Sequence, residues 1–235
     1  MKKTLFLLIV VFLSGISLKA QSARQIADDY LKATGGKEQW KSLQNRRITM
    51  GMKMQGFEFP AVMYEAKGNK QRLEINVEGV QIIQAFDGEV AWVVSPPQGI
   101  TQPTAMTGPQ AESAKEYEFL GEFIDSESRG IKLEYKGEEE ADGKTYWHVD
   151  VTKKSGTTEE YYFDKETKLI AFMKTPGANG QMSTTFYSDY KAFDGIKYPT
   201  HLVVKTGGMT VQELTFTKVE HGVDIDPSIF SMPGN

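Results

Sequence analysis

Ile48-Thr49-Met50-Gly51-Met52-Lys53-Met54-Gln55 decides the fold class. Ile48, Met50, Met52 and Met54 alternate with Thr49, Gly51, Lys53 and Gln55, the period of a strand with one buried and one solvated face. Working outward, strands follow near residues 61–66, 72–77, 80–86 and 90–94. Gly79 and Asp87-Gly88 supply the tight turns between them. The second half repeats the pattern near residues 131–136, 145–152, 159–163, 169–174, 182–190, 197–205 and 211–219. Its turn signals include Asp142-Gly143, Ser155-Gly156, Asp194-Gly195 and Gly207-Gly208. The sequence therefore predicts a mainly β domain, a large curved antiparallel sheet or incomplete barrel of 11 to 12 strands.

Helices are expected as covers for that sheet. Ser22 and Gln25 form a capping-box pattern, and Ala23, Ile26, Ala27, Tyr30 and Leu31 share one helical face that Gly35-Gly36 ends. A short second helix carries Trp40 and Leu43. Residues 95–108 hold Pro96, Pro97 and Pro103 and show no periodicity, so they read as a long loop. Pro109 then opens a mid-chain helix whose apolar side is Ala111, Ala114, Tyr117, Leu120 and Ile124.

The N-terminus reads as a secretory signal peptide, with Lys2 and Lys3 before the apolar run from Leu5 to Leu13 and a cut after Ala20. That run is far shorter than the roughly 20 residues that span a bilayer core. Residues 21–235 then form a single exported domain, expected in the periplasm. The whole chain has a formal charge of −4, and losing Lys2, Lys3 and Lys19 makes it more acidic still. Nothing electrostatic draws such a chain to nucleic acid. The absence of cysteine removes disulfides, thiol nucleophiles and an acylated N-terminal Cys, so a hydrophobic core has to hold the domain.

Catalytic and metal-binding patterns are not found. His148, His201 and His221 lie on different strands or a terminal loop, without the spacing of a zinc helix. Glu138-Glu139-Glu140 and Glu159-Glu160 could in principle supply an acid–base pair, yet they cluster beside turns, where charge solvates the hairpins. No cofactor, no metal site and no enzymatic activity is expected.

The stronger signal is apolar. Met50, Met52 and Met54 put three flexible thioethers on one strand face, and Met adapts to irregular apolar partners. Leu73, Ile75 and Val77 make a second stripe, Val80, Ile82 and Phe86 a third, and Val90, Trp92 and Val94 a fourth. Each residue on its own is ordinary core. As a set they exceed what two short helical caps fill, which leaves an apolar cavity. The expected cavity residues are Met50, Met52, Met54, Leu73, Ile75, Val77, Ile82, Phe86 and Trp92.

The pattern resembles the LolA/LolB-like superfamily of periplasmic lipoprotein-sorting proteins across the whole of residues 21–235. The resemblance runs through Ala27-Asp28-Asp29-Tyr30-Leu31, Gly35-Gly36, Phe86-Asp87-Gly88 and Trp92, then Tyr162-Phe163-Asp164 and Leu169. It continues through Asp189-Tyr190, Phe193-Asp194-Gly195 and Tyr198-Pro199 to Lys218-Val219-Glu220, Val223-Asp224-Ile225-Asp226, Phe230 and Pro233. It implies a helix-covered half-barrel that shelters the acyl chains of a lipid or lipoprotein, with residues 95–108 and the following helix as its lid and membrane-associated release and acceptor proteins as partners. The carriers also use a basic residue near the cavity mouth, for which position alone suggests Arg46 or Arg47. The alternative reading on the same fold is a protein-interaction or envelope-sensing module.

Overall fold

The computed structural model describes residues 22–177 and 180–234, so the expected signal peptide lies outside the described residues. The chain opens as predicted. Ser22 caps helix α1 (Ala23–Ala33), its hydroxyl oxygen accepting from the Gln25 amide at 3.1 Å, and Ala23, Ile26, Ala27 and Leu31 are buried. Gly35 follows with φ of +119°, and a Cβ there would meet the Gly195 carbonyl oxygen at 2.5 Å. Only glycine allows both that backbone angle and that approach. Helix α2 (Lys37–Ser42) then buries Trp40, whose indole N–H donates to Thr34 Oγ1 at 3.2 Å.

Six strands come next: β1 (Asn45–Met54), β2 (Phe57–Ala66), β3 (Lys70–Val77), β4 (Val80–Phe86), β5 (Ala91–Ser95) and β6 (Ile100–Ala105). After helix α3 (Gly108–Lys115) the chain forms β7 (Lys132–Ala141), β8 (Lys144–Thr152), β9 (Thr158–Asp164), β10 (Ile170–Pro176) and β11 (Met182–Ser188). It ends with β12 (Lys191–Phe193), β13 (Ile196–Tyr198), β14 (His201–Thr206) and β15 (Met209–His221). Thirteen of these strands build one antiparallel sheet in the order β6-β5-β4-β3-β2-β1-β15-β14-β11-β10-β9-β8-β7, and β12 with β13 forms a separate ribbon. The sheet does not close into a barrel. The last strand pairs with the first, so β1 and β15 join the two halves of the meander.

Irregular registers bend the sheet. Extra residues interrupt the ladders near Thr49/Met50, Tyr135/Gly137, Ile170/Phe172 and Val204/Lys205, and bulges of this kind increase local twist and curl. One face is gathered around a single buried cluster drawn from α1, α2 and strands of both halves.

Two expectations need correction. Residues 95–108 are not a lid loop: Pro96–Gln98 forms a single 3-10 turn, and β6 then pairs with β5 as the edge of the sheet. Pro103 breaks the strand pattern in the sequence, yet an edge strand tolerates a residue that cannot donate to a ladder. The mid-chain helix is also shorter than its apolar pattern suggests. It stops at Lys115, and Tyr117, Leu120 and Ile124 belong to an irregular segment that turns at Gly121, where φ is +75°. That segment sends Phe119, Phe123 and Ile124 into the core.

Candidate ligand cavity

The registers assign the two faces residue by residue. Opposite one another across β1, β2, β3 and β4 stand Met50, Ala61, Ile75 and Ile82, and one row along stand Ile48, Met63, Leu73 and Gln84. These rows face inward. The next row beyond Ile48, formed by Arg47, Tyr64, Arg72, Ala85 and Trp92, faces outward.

The inner face encloses a cavity of about 450 Å³, within the size range of small-molecule sites. Met50, Met52, Met63 and Leu73 line one wall, and Leu214 and Phe216 on β15 continue it. Phe119, Phe123 and Tyr161 contribute aromatic surface from the mid-chain segment and β9. Burial pushes the phenols of Tyr161 and Tyr187 well above their ordinary pKa, so both present neutral hydroxyls to the cavity.

Arg46 also lines this cavity. Its guanidinium lies 5.2 Å from the ring centre of Phe119, 5.5 Å from Tyr198 and 5.9 Å from Trp40, and it pairs with Glu65 across the β1–β2 ladder. The other Glu65 oxygen accepts from the Tyr117 hydroxyl. The charge is thus neutralised and boxed in by rings. Arg47 points to the opposite face and pairs with Glu220 at 2.7 Å. The two arginines at the start of β1 have separate surroundings, and only Arg46 belongs to the cavity.

A second, more polar cavity of about 1100 Å³ adjoins the first, sharing Met63, Leu73, Glu118 and Glu122. Lys153 sits 2.9 Å from Glu159 and 3.8 Å from Glu122, and the Tyr161 hydroxyl donates to Glu159 at 3.1 Å. Burial, then the neighbouring Glu159, holds the Glu122 carboxyl above its ordinary range. Pro109, Gln110 and Glu112 of α3 border this space, so the helix half of the expected lid flanks the larger cavity.

The expected cavity residues separate on this map. Met50, Met52 and Leu73 line the apolar cavity; Ile75 is buried in the same cluster, and Met54, Val77 and Ile82 pack against it. Phe86 lines the larger cavity, together with Leu73. Trp92 lies on the outer face, fully buried, with its indole N–H donating to the Phe230 carbonyl at 2.8 Å and Arg72 5.4 Å from its ring. Ala91, Trp92, Val93 and Val94 are all apolar, so no alternation in the sequence sets the phase of β5. Met63, Leu214 and Phe216 carried a readable signal as alternating strand residues, whereas Phe119 and Phe123 lie in irregular backbone where no period exists.

Among the described residues no group of three or more His, Asp or Glu side chains is placed to hold a metal. His148 stacks on Tyr162 at 4.5 Å on the outer face, and His221 shares a 2.9 Å hydrogen bond with the Tyr198 hydroxyl. No helix among the described residues is long and apolar enough to cross a membrane.

No family model and no curated protein matches the sequence. Solved structures do match the fold. A DUF1329 family protein from Desulfovibrio piger aligns with a TM-score of 0.61 at 15% identity, over 89% of this chain and 97% of that one. The LolA superfamily protein NE2245 from Nitrosomonas europaea aligns with a TM-score of 0.60 at 14% identity, over 90% and 98%. A domain from Vibrio parahaemolyticus named for outer membrane lipoprotein sorting gives 0.56 at 13% identity, over 88% and 95%. With an open antiparallel sheet curled around an apolar cavity and helices set on that face, this chain has the LolA/LolB-like fold.

Proposed function

We propose that the chain is a carrier that shelters the acyl chain of a lipid or lipoprotein in an exported, periplasmic compartment, acting by binding and not by catalysis. The observation that carries this reading is the cavity of about 450 Å³ walled by Met50, Met52, Met63, Leu73, Leu214 and Phe216. Each methylene moved from water into such surroundings gains roughly 0.8 kcal/mol, so a long chain exposed in water has a strong drive to enter. Thioethers suit an occupant of variable shape. The neutral phenols and the boxed Arg46 add no uncompensated charge that an apolar tail would have to desolvate. The name of the Vibrio parahaemolyticus domain agrees with this role.

Native mass spectrometry with lipid extraction, on residues 21–235 purified from an exported expression, tests the reading. A bound acyl species of defined mass is expected. A clean unliganded mass, unchanged on adding lipids or acylated peptides, overturns it in favour of a docking or sensing module.

A further inference from the structure

The two ends of the sheet differ in chemistry. Five large apolar side chains among the described residues stand out in solvent: Phe57 at 68%, Met209 at 72%, Val211 at 44%, Val80 at 40% and Met182 at 38%. The strand order puts all five at one end. Phe57 follows the β1–β2 turn and Val80 the β3–β4 turn; Met209 and Val211 open β15 after the β14–β15 turn, and Met182 opens β11. Because successive strands run antiparallel, these are neighbouring hairpin tips, spread over seven strands or roughly 30 Å of edge.

The tips are poor in charge. Gln55-Gly56-Phe57 and Gly207-Gly208-Met209 contain no ionisable side chain; Glu78 is the one charge in the β3–β4 turn, and Lys153 and Lys154 lie in the β8–β9 turn, two strands beyond the last apolar tip. The opposite end turns through Lys67-Gly68-Asn69-Lys70, Asp87-Gly88-Glu89, Asp142-Gly143-Lys144 and Asp164-Lys165-Glu166. Solubility and turn chemistry account for the charged end, but they give no reason to expose Phe57 and Met209.

The apolar tips are continuous with the cavity. The inner row of β1 runs Ile48, Met50, Met52, Met54, and Met54 stands opposite Phe57. The inner row of β3 runs Leu73, Ile75, Val77, and Val77 stands opposite Val80. Two apolar tracks therefore lead from the buried wall to exposed tips. The larger cavity reaches this same end, where Gln98, Pro176 and Gly177 border it.

We propose that this end of the sheet rests on a lipid bilayer, with Phe57, Val80 and Met209 dipping into its interface, so that an acyl chain passes along the inner tracks without crossing water. A protein partner would be met by a contiguous apolar patch with a packed centre; a row of single side chains on separate tips instead suits a fluid, planar apolar surface. The absence of basic residues from these tips means that zwitterionic lipid suffices. The role of the tracks rests on the acyl-carrier reading, while bilayer contact is measured independently of it.

The test is flotation of residues 21–235 with phosphatidylcholine vesicles at 0.15 M and 1 M salt, beside binding of monomeric palmitate in solution. Binding to vesicles is expected at both salt concentrations, since apolar contact is not screened. Phe57→Ser combined with Met209→Ser is expected to weaken it about tenfold or more while leaving palmitate binding and thermal unfolding unchanged, because both positions are exposed. A Phe57→Trp chain should be quenched by bromine-labelled acyl chains. Absence of vesicle binding, its loss at 1 M salt, or full retention in the double variant overturns the proposal. Palmitate binding without vesicle binding overturns bilayer contact and leaves the carrier reading standing. Vesicle binding without palmitate binding sustains bilayer contact and overturns the carrier reading.

Discussion

Arg46 and Glu65 face each other across the β1–β2 ladder and pair in the wall of the cavity, with side-chain exposures of only 11% and 7%. Trp40, Phe119 and Tyr198 surround the guanidinium, and Tyr117 satisfies the second carboxylate oxygen. Both charges are thus hydrogen-bonded and screened from water by rings. The pair joins the sheet to α2 and to the mid-chain segment, which are the parts that roof the cavity.

Removing one partner leaves the other charge buried and alone. Arg46→Met is expected to cost about 3 kcal/mol of stability in urea unfolding. The double change Arg46→Met with Glu65→Leu should recover most of that loss, because neither charge then has to be desolvated. Additive losses in the double variant would show that the pair is not the unit described.

Met52 lies between Met50 and Met54 on the inner row and lines the apolar cavity. Met52→Trp places a bulky ring in that space. Acyl-chain binding should fall at least about tenfold, while stability changes by roughly 1–3 kcal/mol from overpacking. Unaltered binding in a folded variant would place the ligand elsewhere. Isothermal titration with palmitate separates the two results.

Trp92 holds the C-terminal segment to the outer face through its bond to the Phe230 carbonyl, and Arg72 adds a 2.8 Å bond to the Ile229 carbonyl. Trp92→Phe keeps the ring but orphans a buried acceptor, at an expected cost of about 1–3 kcal/mol. Ligand binding should be unaffected, since this contact is on the face away from the cavity. A stability loss below about 0.5 kcal/mol would show that the bond contributes little.

Glu122 gives a pH dependence of defined sign. Burial and Glu159 raise its carboxyl pKa in the folded chain, against a smaller opposing effect of Lys153. The native state therefore keeps this proton at pH values where the unfolded chain has lost it. Its contribution to stability consequently falls as pH rises through that interval. Glu122→Gln has no charge in either state, so its Tm relative to the native sequence should be more favourable at pH 7 than at pH 4. The reverse order would contradict the assigned shift.

Much of the architecture could be read locally. Two of the Phe-Asp steps that end strands, Phe86-Asp87 and Phe163-Asp164, act through the carboxylate. Asp87 Oδ1 accepts from the amides of Glu89 and Val90, and Asp164 Oδ1 accepts from those of Glu166 and Thr167. Each such turn forms within four residues, so its chemistry is visible in a short window. The methionine alternation in β1 was legible for the same reason. Strand β6 was hidden by Pro103, and the short α3 was obscured because Tyr117, Leu120 and Ile124 mimic a helical period in non-helical backbone.

Local patterning, with the absence of cysteine, was enough to determine a mainly β chain, its turns, its N-terminal helix and the apolar phase of β1 and β3. The tertiary structure alone decided that β15 returns to pair with β1, that Trp92 lies outside while Phe86 lies inside, and that Arg46 is enclosed while Arg47 is not. It also gathered Phe57, Val80 and Met209 at one end. The physical reason is range. Alternation and turn chemistry act over a few residues, whereas strand order, the closure of a cavity and the set of side chains that share a rim depend on contacts between segments far apart in the chain.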